Sequence, residues 1–535
     1  MPETLAPETP APGVPTLSAV ALEVVRHALD GVAEEMGVAL RRAAYSPNIK
    51  ERVDCSAAVF GPDGQMVAQA EHIPVHLGSM PASVAAAIAS FGDRLVPGVQ
   101  VALNDPYQGG THLPDLTLVA AVGDEHGRLL GYVANRAHHA DVGGAAPGSM
   151  PASAVDVAAE GLRVPPVLVA DADGPREDVL ALLAANSRTP AERRGDLRAQ
   201  FAANHVGAVR LRELAARLGG EGLAAAMLAV CDYSERRVRA AVAAIPDGTA
   251  TFSDQMEIGD GLTIRVELTV DGETVLADFS ASDPQVPVNV NAVDAVTRSA
   301  SMFVFRMLTD PGAPPNAGCY RPLRVHTRPG TVVHARFPAP VAAGNVETSQ
   351  RIVDVLLGAF ARLLPDRVPA ASQGTMNNVL LGASAPIGFS YYETLAGGEG
   401  ATPQRPGMSG VHTGMTNTRN TPAEAVELAY PLRVWRYELR EGTGGTGMRP
   451  GGDGLVRELE VLEDATLTLQ TERRARGPWG LAGGGDGAPG RNVLVRAGGG
   501  EEALPAKGTW QLRRGERIRI ETPGGGGWGA GERGC

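Results

Sequence analysis

The sequence predicts an α+β protein of several lobes, with mixed antiparallel sheets, helices and a glycine-rich β-type lobe at the C-terminal end. Three observations support this prediction. The 535 residues exceed what one small core requires. Helical and strand-like segments occur in blocks, without regular βαβ alternation or an internal repeat. The composition, 44% hydrophobic and 20% charged, is ordinary for a globular enzyme.

The first elements follow in order along the chain. Residues 1–16 are expected to form a disordered tail, because they are acidic and rich in proline. Residues 17–248 are predicted to form an N-terminal α+β lobe. Within it, helical periodicity runs from Leu17 to Tyr45 with Ser18 as N-cap, and the strands "CSAAVF" and "QMVAQA" flank a "GPDG" turn. A mostly helical block closes this lobe.

Two further lobes complete the predicted architecture. Residues 249–431 are expected to form a central α+β lobe, with short β-branched segments up to Ser282. Helices are predicted near residues 292–308 and 348–364 in this lobe. Residues 432–535 are rich in glycine and strand-like, which favours a β lobe with tight turns.

Charge and cysteine usage exclude several classes of protein. The net charge of -12 disfavours nucleic acid as the main partner, because phosphate binding needs a basic surface. The four cysteines form no CxxC pair, so neither a disulfide framework nor a zinc ribbon is predicted. The N-terminus lacks the features of a signal peptide, and no apolar run is long enough to span a membrane. We therefore expect a cytoplasmic protein with reduced thiols.

A predicted hairpin carries potential metal ligands at one end. Its strands, Leu116–Val122 and Leu129–Ala137, flank a turn at residues 124–127. A register centred on that turn places Asp115 opposite Arg136, within the short cross-strand distances of an antiparallel pair. The residues gathered at the open end are His112, Asp115, His138 and His139, with Asp141 just beyond.

This group of side chains is suited to a catalytic metal ion. Two or three imidazoles with a carboxylate are ligands of Zn²⁺, Mn²⁺ or Fe²⁺. Three protein ligands leave positions open for water or substrate, as catalytic rather than structural sites do. The alternative interpretation is a set of polar residues at the mouth of a hairpin without any metal.

Other polar segments supply further candidates. His76 lies in "EHIPVHLG", where a substrate contact and ordinary loop hydrogen bonding both stay open. "GNVETSQR" places Glu347 at the start of a helix that Thr348 is expected to cap. Glu347 could act as a general base, contact the substrate, or simply complement the helix dipole with its charge. "VHTGMTNTRNTPAE" holds His412 and Asn417 in a polar loop, which suits an amide or carboxylate substrate or simple turn chemistry.

With these motifs the chain resembles the hydantoinase B/5-oxoprolinase family from roughly Leu17 to Gly529. The later segments are most similar to the C-terminal half of long 5-oxoprolinases. The family usually has an aromatic residue at Cys55 and often a cysteine at Ala57, which affects packing only. The matching segments, in order, are "ERVDCSAAVFGPDGQMVAQAEHIPVHLGSMP", "GGTHLPDLT", "RAHHADVGGAAPGSMP", "GNVETSQR", "SGVHTGMTNTRNTPAE", "GTGGTGMRPGGDGLVREL", "TERRARGPWGLAGG" and "TPGGGGWG".

The resemblance implies an enzyme that opens a cyclic amide, either 5-oxoproline or a hydantoin, at the expense of ATP. It also implies a hydantoinase A-type partner with an actin-like ATPase fold, which uses the ATP and Mg²⁺. The sequence agrees, since it has no P-loop of the form GxxxxGK[ST]. In this family the metal ligands correspond to His112, Asp115 and His138.

Two alternatives follow from the same resemblance. Related subunits belong to ATP-dependent carboxylases that require bicarbonate, and a third possibility is a non-catalytic subunit that assembles with the A-type partner. For the hydrolase we expect a general base at Asp141 or Glu347. We expect substrate contacts from His76, His412 and Asn417.

Overall fold

A computed structural model describes residues 18–71, 73–384 and 386–531, and it confirms the α+β class. The described residues form ten α-helices and four sheets. The predicted tail at residues 1–16 lies outside the described residues. The helices are α1 (Ala19–Ala43), α2 (Pro47–Lys50), α3 (Ser79–Phe91), α4 (Glu177–Ala185), α5 (Pro190–Leu218), α6 (Gly220–Val242), α7 (Asp294–Leu308), α8 (Ala317–Tyr320), α9 (Ser349–Leu363) and α10 (Ala423–Ala429).

The first sheet has seven antiparallel strands in the order β2-β1-β5-β4-β3-β6-β7. Alternate side chains of β1 enter different cores, as the two-residue period of a strand requires. Ala57 and Val59 pack against α1 and α6, whereas Ala58 and Phe60 pack towards α3. The strands are β1 (Cys55–Phe60), β2 (Met66–Glu71), β3 (Gln100–Leu103), β4 (Asp115–Gly123), β5 (Leu129–His138), β6 (Val167–Asp171) and β7 (Gly174–Pro175).

The second sheet confirms the β-rich segment predicted after residue 248. Its four strands lie in the order β11-β10-β9-β8, and β10 and β11 pair in parallel. Helices α7 and α9 share its core, which continues into one face of the first sheet. The strands are β8 (Gly248–Met256), β9 (Leu262–Asp271), β10 (Thr274–Asp278) and β11 (Leu323–His326).

The remaining strands form two sheets that share one core. One sheet has the order β13-β12-β16-β19 and the other β14-β15-β20-β17-β18. Because the first of these joins strands from both sides of residue 432, the division into three lobes stays a prediction. The strands are β12 (Asn378–Ala383), β13 (Phe389–Glu393), β14 (Leu432–Arg440), β15 (Gly454–Val461), β16 (Ala465–Gln470), β17 (Arg491–Val495), β18 (Glu501–Leu504), β19 (Lys507–Leu512) and β20 (Arg517–Glu521).

The glycine-rich segments near the C-terminal end pack backbone against backbone. A Cβ atom on Gly524 would lie 1.9 Å from the carbonyl oxygen of Thr443. A Cβ atom on Gly525 would lie 2.0 Å from the carbonyl oxygen of Glu399. Only glycine permits such close approach, so these segments are packing elements.

One helical segment among the described residues, Pro74–Arg94, is long and apolar enough to cross a membrane. Its residues Met80, Val84 and Ala87 are buried in the core beneath the first sheet, which is the position of an ordinary core helix. Helices α5 and α6 meet the same criterion only when taken together, and they are bent by 104° at their junction. Cys55, Cys231 and Cys319 are buried cysteines, while Cys535 lies outside the described residues.

Candidate metal centre

The predicted hairpin is confirmed, but its register differs from the prediction by two residues. Strands β4 and β5 pair Asp115 with His138, and Arg136 lies opposite Thr117. A bulge near Val122 inserts one extra residue into β5, and the turn contributes another. Since the shift is an even number, each side chain keeps its face of the sheet.

Three side chains meet at the open end of this hairpin. One ligand atom each of His112, Asp115 and His138 lies within 4.8 Å of the others, and all three residues are buried. Asp115 Oδ1 is 3.1 Å from His138 Nδ1 and 3.2 Å from His112 Nε2. A backbone hydrogen bond from Asp115 N to His112 O closes the turn that brings His112 back to the strand.

The chemistry of this group fits a divalent metal ion. His138 Nε2 is a buried ring nitrogen with no hydrogen-bond partner. Burial lowers the pKa of His138 to about 4, although Asp115 opposes the shift, so this imidazole is neutral at pH 7. Burial also raises the pKa of Asp115, but the surrounding imidazoles outweigh it and hold that pKa well below its usual range. Neutral imidazoles and an ionised carboxylate are the protonation states that bind metal ions.

Neighbouring side chains fix the orientation of the three residues. Thr111 Oγ1 donates to Asp115 Oδ2 at 2.8 Å, and His76 Nε2 lies 3.6 Å from the same oxygen. The His138 ring stacks on Tyr392 with 4.5 Å between ring centroids. The Arg52 guanidinium covers the Tyr392 ring at 4.6 Å from its centroid.

One cavity adjoins Asp115 and His138, and a second, larger cavity lies beyond it. The smaller one, of about 20 Å³, has room for one ion or one water molecule. The larger one, of about 600 Å³, shares Thr416 with it as a lining residue. The short 3₁₀ turn Pro74–His76 separates the two, because Pro74 faces the larger cavity and His76 the smaller. The larger cavity therefore reaches the proposed ligands only by way of Thr416 and the smaller cavity, which Asp115 and His138 line.

Comparison with known proteins identifies the family. The hydantoinase B/oxoprolinase family profile matches residues 18–531. The chain belongs to the hydantoinase B/oxoprolinase family. This confirms the resemblance that the sequence motifs indicated.

Relatives of this hydantoinase B/oxoprolinase chain include enzymes named for cyclic amides. It is 38% identical to 5-oxoprolinase 1 of Arabidopsis thaliana over 96% of its own length, and it spans 42% of that protein. It is 32% identical over 95% of its length to a Pseudomonas sp. protein named as one component of a D-/L-hydantoinase, 90% of which is matched. The chain thus corresponds to part of the first relative and to nearly all of the second.

Two solved structures share the fold. An ATP-dependent caprolactamase from Pseudomonas jessenii superposes with a TM-score of 0.90 at 29% identity, covering 96% of this chain and 92% of that one. A nucleotide-free acetone carboxylase gives a TM-score of 0.84 at 19% identity, covering 95% of this chain and 75% of that one. The second likeness concerns the fold alone.

Two residues predicted near the metal site point elsewhere. His139 follows His138 on the strand, so its ring faces the opposite side, where Nε2 bonds Gln200 Oε1 at 2.9 Å. The Asp141 carboxylate accepts from the backbone N–H groups of Gly143 and Arg188 and pairs with the Arg188 guanidinium at 2.9 Å. Through these contacts Asp141 links the loop at Gly143 to the loop at Arg188.

Glu347 follows Val346 in the chain, and Val346 lines the smaller cavity whereas Glu347 does not. It sits in a π-helical turn, Gly344–Thr348, that runs into α9, so Thr348 is inside the helix and does not cap it. Its Oε1 accepts from Asn378 Nδ2 at 3.0 Å, and Asn378 Oδ1 accepts from Tyr392 at 2.9 Å. Burial raises the pKa of Glu347 to about 8. The link from Glu347 to the His138 ring therefore runs through Asn378 and Tyr392.

Each of the three residues expected to contact substrate lines a cavity, one the smaller cavity and two the larger. His76 faces the smaller cavity, where Ser56 Oγ bonds its Nδ1 at 2.9 Å. His412 and Asn417 line the larger cavity. Burial lowers the pKa of His412 to about 4, and its buried Nε2 has no hydrogen-bond partner. A neutral imidazole with a free ring nitrogen can donate to or accept from a bound substrate.

Sequence reasoning did not single out Asp54, which lines the smaller cavity. This carboxylate precedes β1, and its backbone carbonyl accepts from His138 N at 3.0 Å. Burial raises the pKa of Asp54 to about 7 despite the nearby Arg52. The signal in the sequence was "ERVD", an acidic residue directly before a buried strand, within a segment that carries the family resemblance.

Proposed function

We propose that this chain is the metal-bearing subunit of an ATP-dependent cyclic amidohydrolase. It opens 5-oxoproline to glutamate, or opens a hydantoin, while a hydantoinase A-type partner uses the ATP and Mg²⁺. The single observation that carries this proposal is the buried group of His112, Asp115 and His138, two of which line a small cavity that shares Thr416 with a cavity of about 600 Å³. Relatives named for 5-oxoproline, hydantoin and caprolactam support the cyclic amide as substrate.

The proposed metal ligands are His112, Asp115 and His138. A Zn²⁺, Mn²⁺ or Fe²⁺ ion bound by them supplies Lewis-acid chemistry, lowering the pKa of water or polarising a carbonyl oxygen. Thr111 holds Asp115 by a hydrogen bond, and Tyr392 holds the ring plane of His138 by stacking. Such supporting contacts keep ligands in a productive geometry.

The partner's use of ATP explains how an unreactive lactam could be opened. A lactam carbonyl is stabilised by resonance and is a poor electrophile. Phosphorylation of its oxygen makes the carbon electrophilic, so that water adds to this carbon and the C–N bond breaks, with the nitrogen taking the electron pair and a proton. The acyl phosphate that results is hydrolysed by a second water molecule to the carboxylate and inorganic phosphate. His76, His412 and Asn417 face the cavities in which this activated substrate would lie.

We assign the role of proton acceptor to Asp54 in place of Asp141 or Glu347. Among the described residues that line the smaller cavity, Asp54 and Asp115 are the carboxylates, and Asp115 is a proposed ligand. A general base must lie within reach of the proton that it removes. Asp141 pairs with Arg188, and Glu347 does not line the smaller cavity.

Reconstitution with an A-type partner tests the proposed function. The complex, supplied with ATP, Mg²⁺ and 5-oxoproline or hydantoin, should form ADP and ring-opened product together. His112→Ala should stop ring opening while the two subunits still copurify. If the complex instead required bicarbonate and acted on a ketone, the protein would be a carboxylase subunit and not a hydrolase subunit. If turnover did not depend on His112, the chain would have only an assembly role.

A further inference from the structure

Glu160 is a fully buried carboxyl group that the proposed chemistry does not use. It ends the 3₁₀ turn Val157–Glu160 and has no exposed surface. Among the described residues, no cationic side chain lies within ion-pair distance of it. Burial raises its pKa to about 8, as expected for a carboxyl group without a cationic partner.

The hydrogen-bond partners of Glu160 are two backbone N–H groups. Val341 N donates to Oε1 at 2.9 Å, and Ala342 N donates to the same oxygen at 2.8 Å. These residues begin the helical segment that continues through the π-helical turn Gly344–Thr348 into α9. Glu160 therefore caps this helix from a distant part of the chain.

The peptide that Glu160 holds also contacts a proposed metal ligand. The carbonyl oxygen of Ala342 lies 3.3 Å from His112 Nδ1. On the other side of the ring, His112 Nε2 lies 3.2 Å from Asp115 Oδ1. A metal-bound histidine generally donates its second ring N–H to a carbonyl or carboxylate, which sets the tautomer and the ring plane. Ala342 O is placed to accept that hydrogen bond.

Other anchors hold this segment farther from His112. Val157 N donates to Pro338 O at 2.9 Å, and Tyr107 donates to Ala339 O. Of these three anchors, only Glu160 bonds to Ala342, the residue whose carbonyl oxygen faces His112. Its loss would leave two buried N–H groups without an acceptor and would free the Ala342 peptide to turn.

We propose that Glu160 is a positioning residue for the metal ligand His112, acting through the Ala342 peptide. This proposal rests on the metal-binding part of the proposed function. Glu160 sets which nitrogen of His112 faces Asp115 and where that nitrogen points, although Asn345 Nδ2 also lies 3.1 Å from it. Glu160 itself touches neither metal nor substrate.

Metal affinity of the full chain tests this role. Zn²⁺ affinity, measured by competition with a chelator, should fall about 10- to 100-fold in Glu160→Ala. Glu160→Gln should stay within a few-fold of wild type, because its amide oxygen accepts the same two N–H groups. Glu160→Asp keeps the carboxyl group but is one methylene shorter, so it should weaken Zn²⁺ binding in the same direction and serves if Glu160→Ala does not fold. Unchanged affinity in Glu160→Ala, or in Glu160→Asp if that variant is used, would overturn the proposal.

A matched variant separates positioning from general destabilisation. Asp196 is also fully buried and accepts from two backbone N–H groups, those of Tyr45 and Ser46 at 2.8 and 3.0 Å. Asp196→Ala should lower the melting temperature without weakening Zn²⁺. An equal loss of Zn²⁺ affinity in both variants would overturn the proposal. Absence of metal from the wild type overturns both the metal site and this role, whereas bound metal without ring opening overturns only the proposed reaction.

Discussion

Asp115 and His138 face each other across the β4–β5 pair, and His138 Nδ1 lies 3.1 Å from Asp115 Oδ1. Both side chains are buried, and His112 approaches the same oxygen from the turn before β4. A hairpin thus supplies all three proposed ligands from one short stretch of chain. Thr111 orients Asp115 from the same stretch, whereas Tyr392, which stacks on His138, comes from a distant part of the sequence.

The Asp54 carboxylate should be needed for turnover but not for metal binding. Asp54→Asn should keep its metal while the rate of ring opening falls about 100- to 10,000-fold, the usual contribution of a general base. Metal analysis and a coupled ADP assay of the reconstituted complex measure the two quantities. Asp178→Asn, which alters a mostly exposed carboxylate in α4, is the control and should retain full activity. An Asp54→Asn enzyme of normal rate would remove Asp54 from the mechanism.

Loss of the Asp141 carboxylate should destabilise the fold while sparing the metal. Asp141→Ala leaves the part-buried Gly143 and Arg188 N–H groups and the Arg188 guanidinium without their acceptor. Breaking a fully buried ion pair from one side costs about 3–5 kcal/mol, and the loss here should be smaller because the Arg188 side chain is partly exposed to water. Denaturant unfolding measures this loss, and elemental analysis measures metal in the folded variant. A stable Asp141→Ala protein without metal would restore Asp141 to the site.

The buried Glu347 carboxyl should make stability depend on pH. Burial raises its pKa to about 8 from the ordinary 4.5, so between these values the folded protein keeps a proton that the unfolded chain releases. Its contribution to stability is complete below pH 4.5 and is lost as the pH rises through about 8.

The variant Glu347→Gln cannot titrate, so its unfolding free energy should decline less steeply over this window. The difference in slope should approach about 1.4 kcal/mol per pH unit. Unfolding curves at about pH 5.5 and about pH 7.5 give the two slopes. Equal slopes in wild type and variant would show that Glu347 is ionised throughout.

Local sequence pattern predicted most of the elements and gathered the candidate ligands. Spacing along the β4–β5 hairpin brought together His112, Asp115, His138 and His139, and the family resemblance selected the first three as ligands. The exact register was not accessible, because a bulge in β5 is set by packing. Gly131 shows this: a Cβ atom there would lie 2.3 Å from the carbonyl oxygen of Phe60 on the neighbouring strand.

The residues around the ligands could not be predicted from local pattern. Tyr392 reaches His138 from β13, and Glu160 reaches the His112 region through a helix that starts near Ala342. Such contacts depend on how whole sheets and helices pack, and no short-range periodicity encodes them. The orientation of the His139 ring, away from the proposed ligands, was predictable in principle, since neighbouring strand residues alternate between the faces of a sheet.

Elemental analysis of the purified chain tests the central claim most directly. Wild type should contain about one Zn, Mn or Fe per chain, as three protein ligands around one ion require. His112→Ala and His138→Ala should each lose this metal, and Asp178→Ala should keep it. Equal metal content in all four proteins would contradict the proposed metal centre.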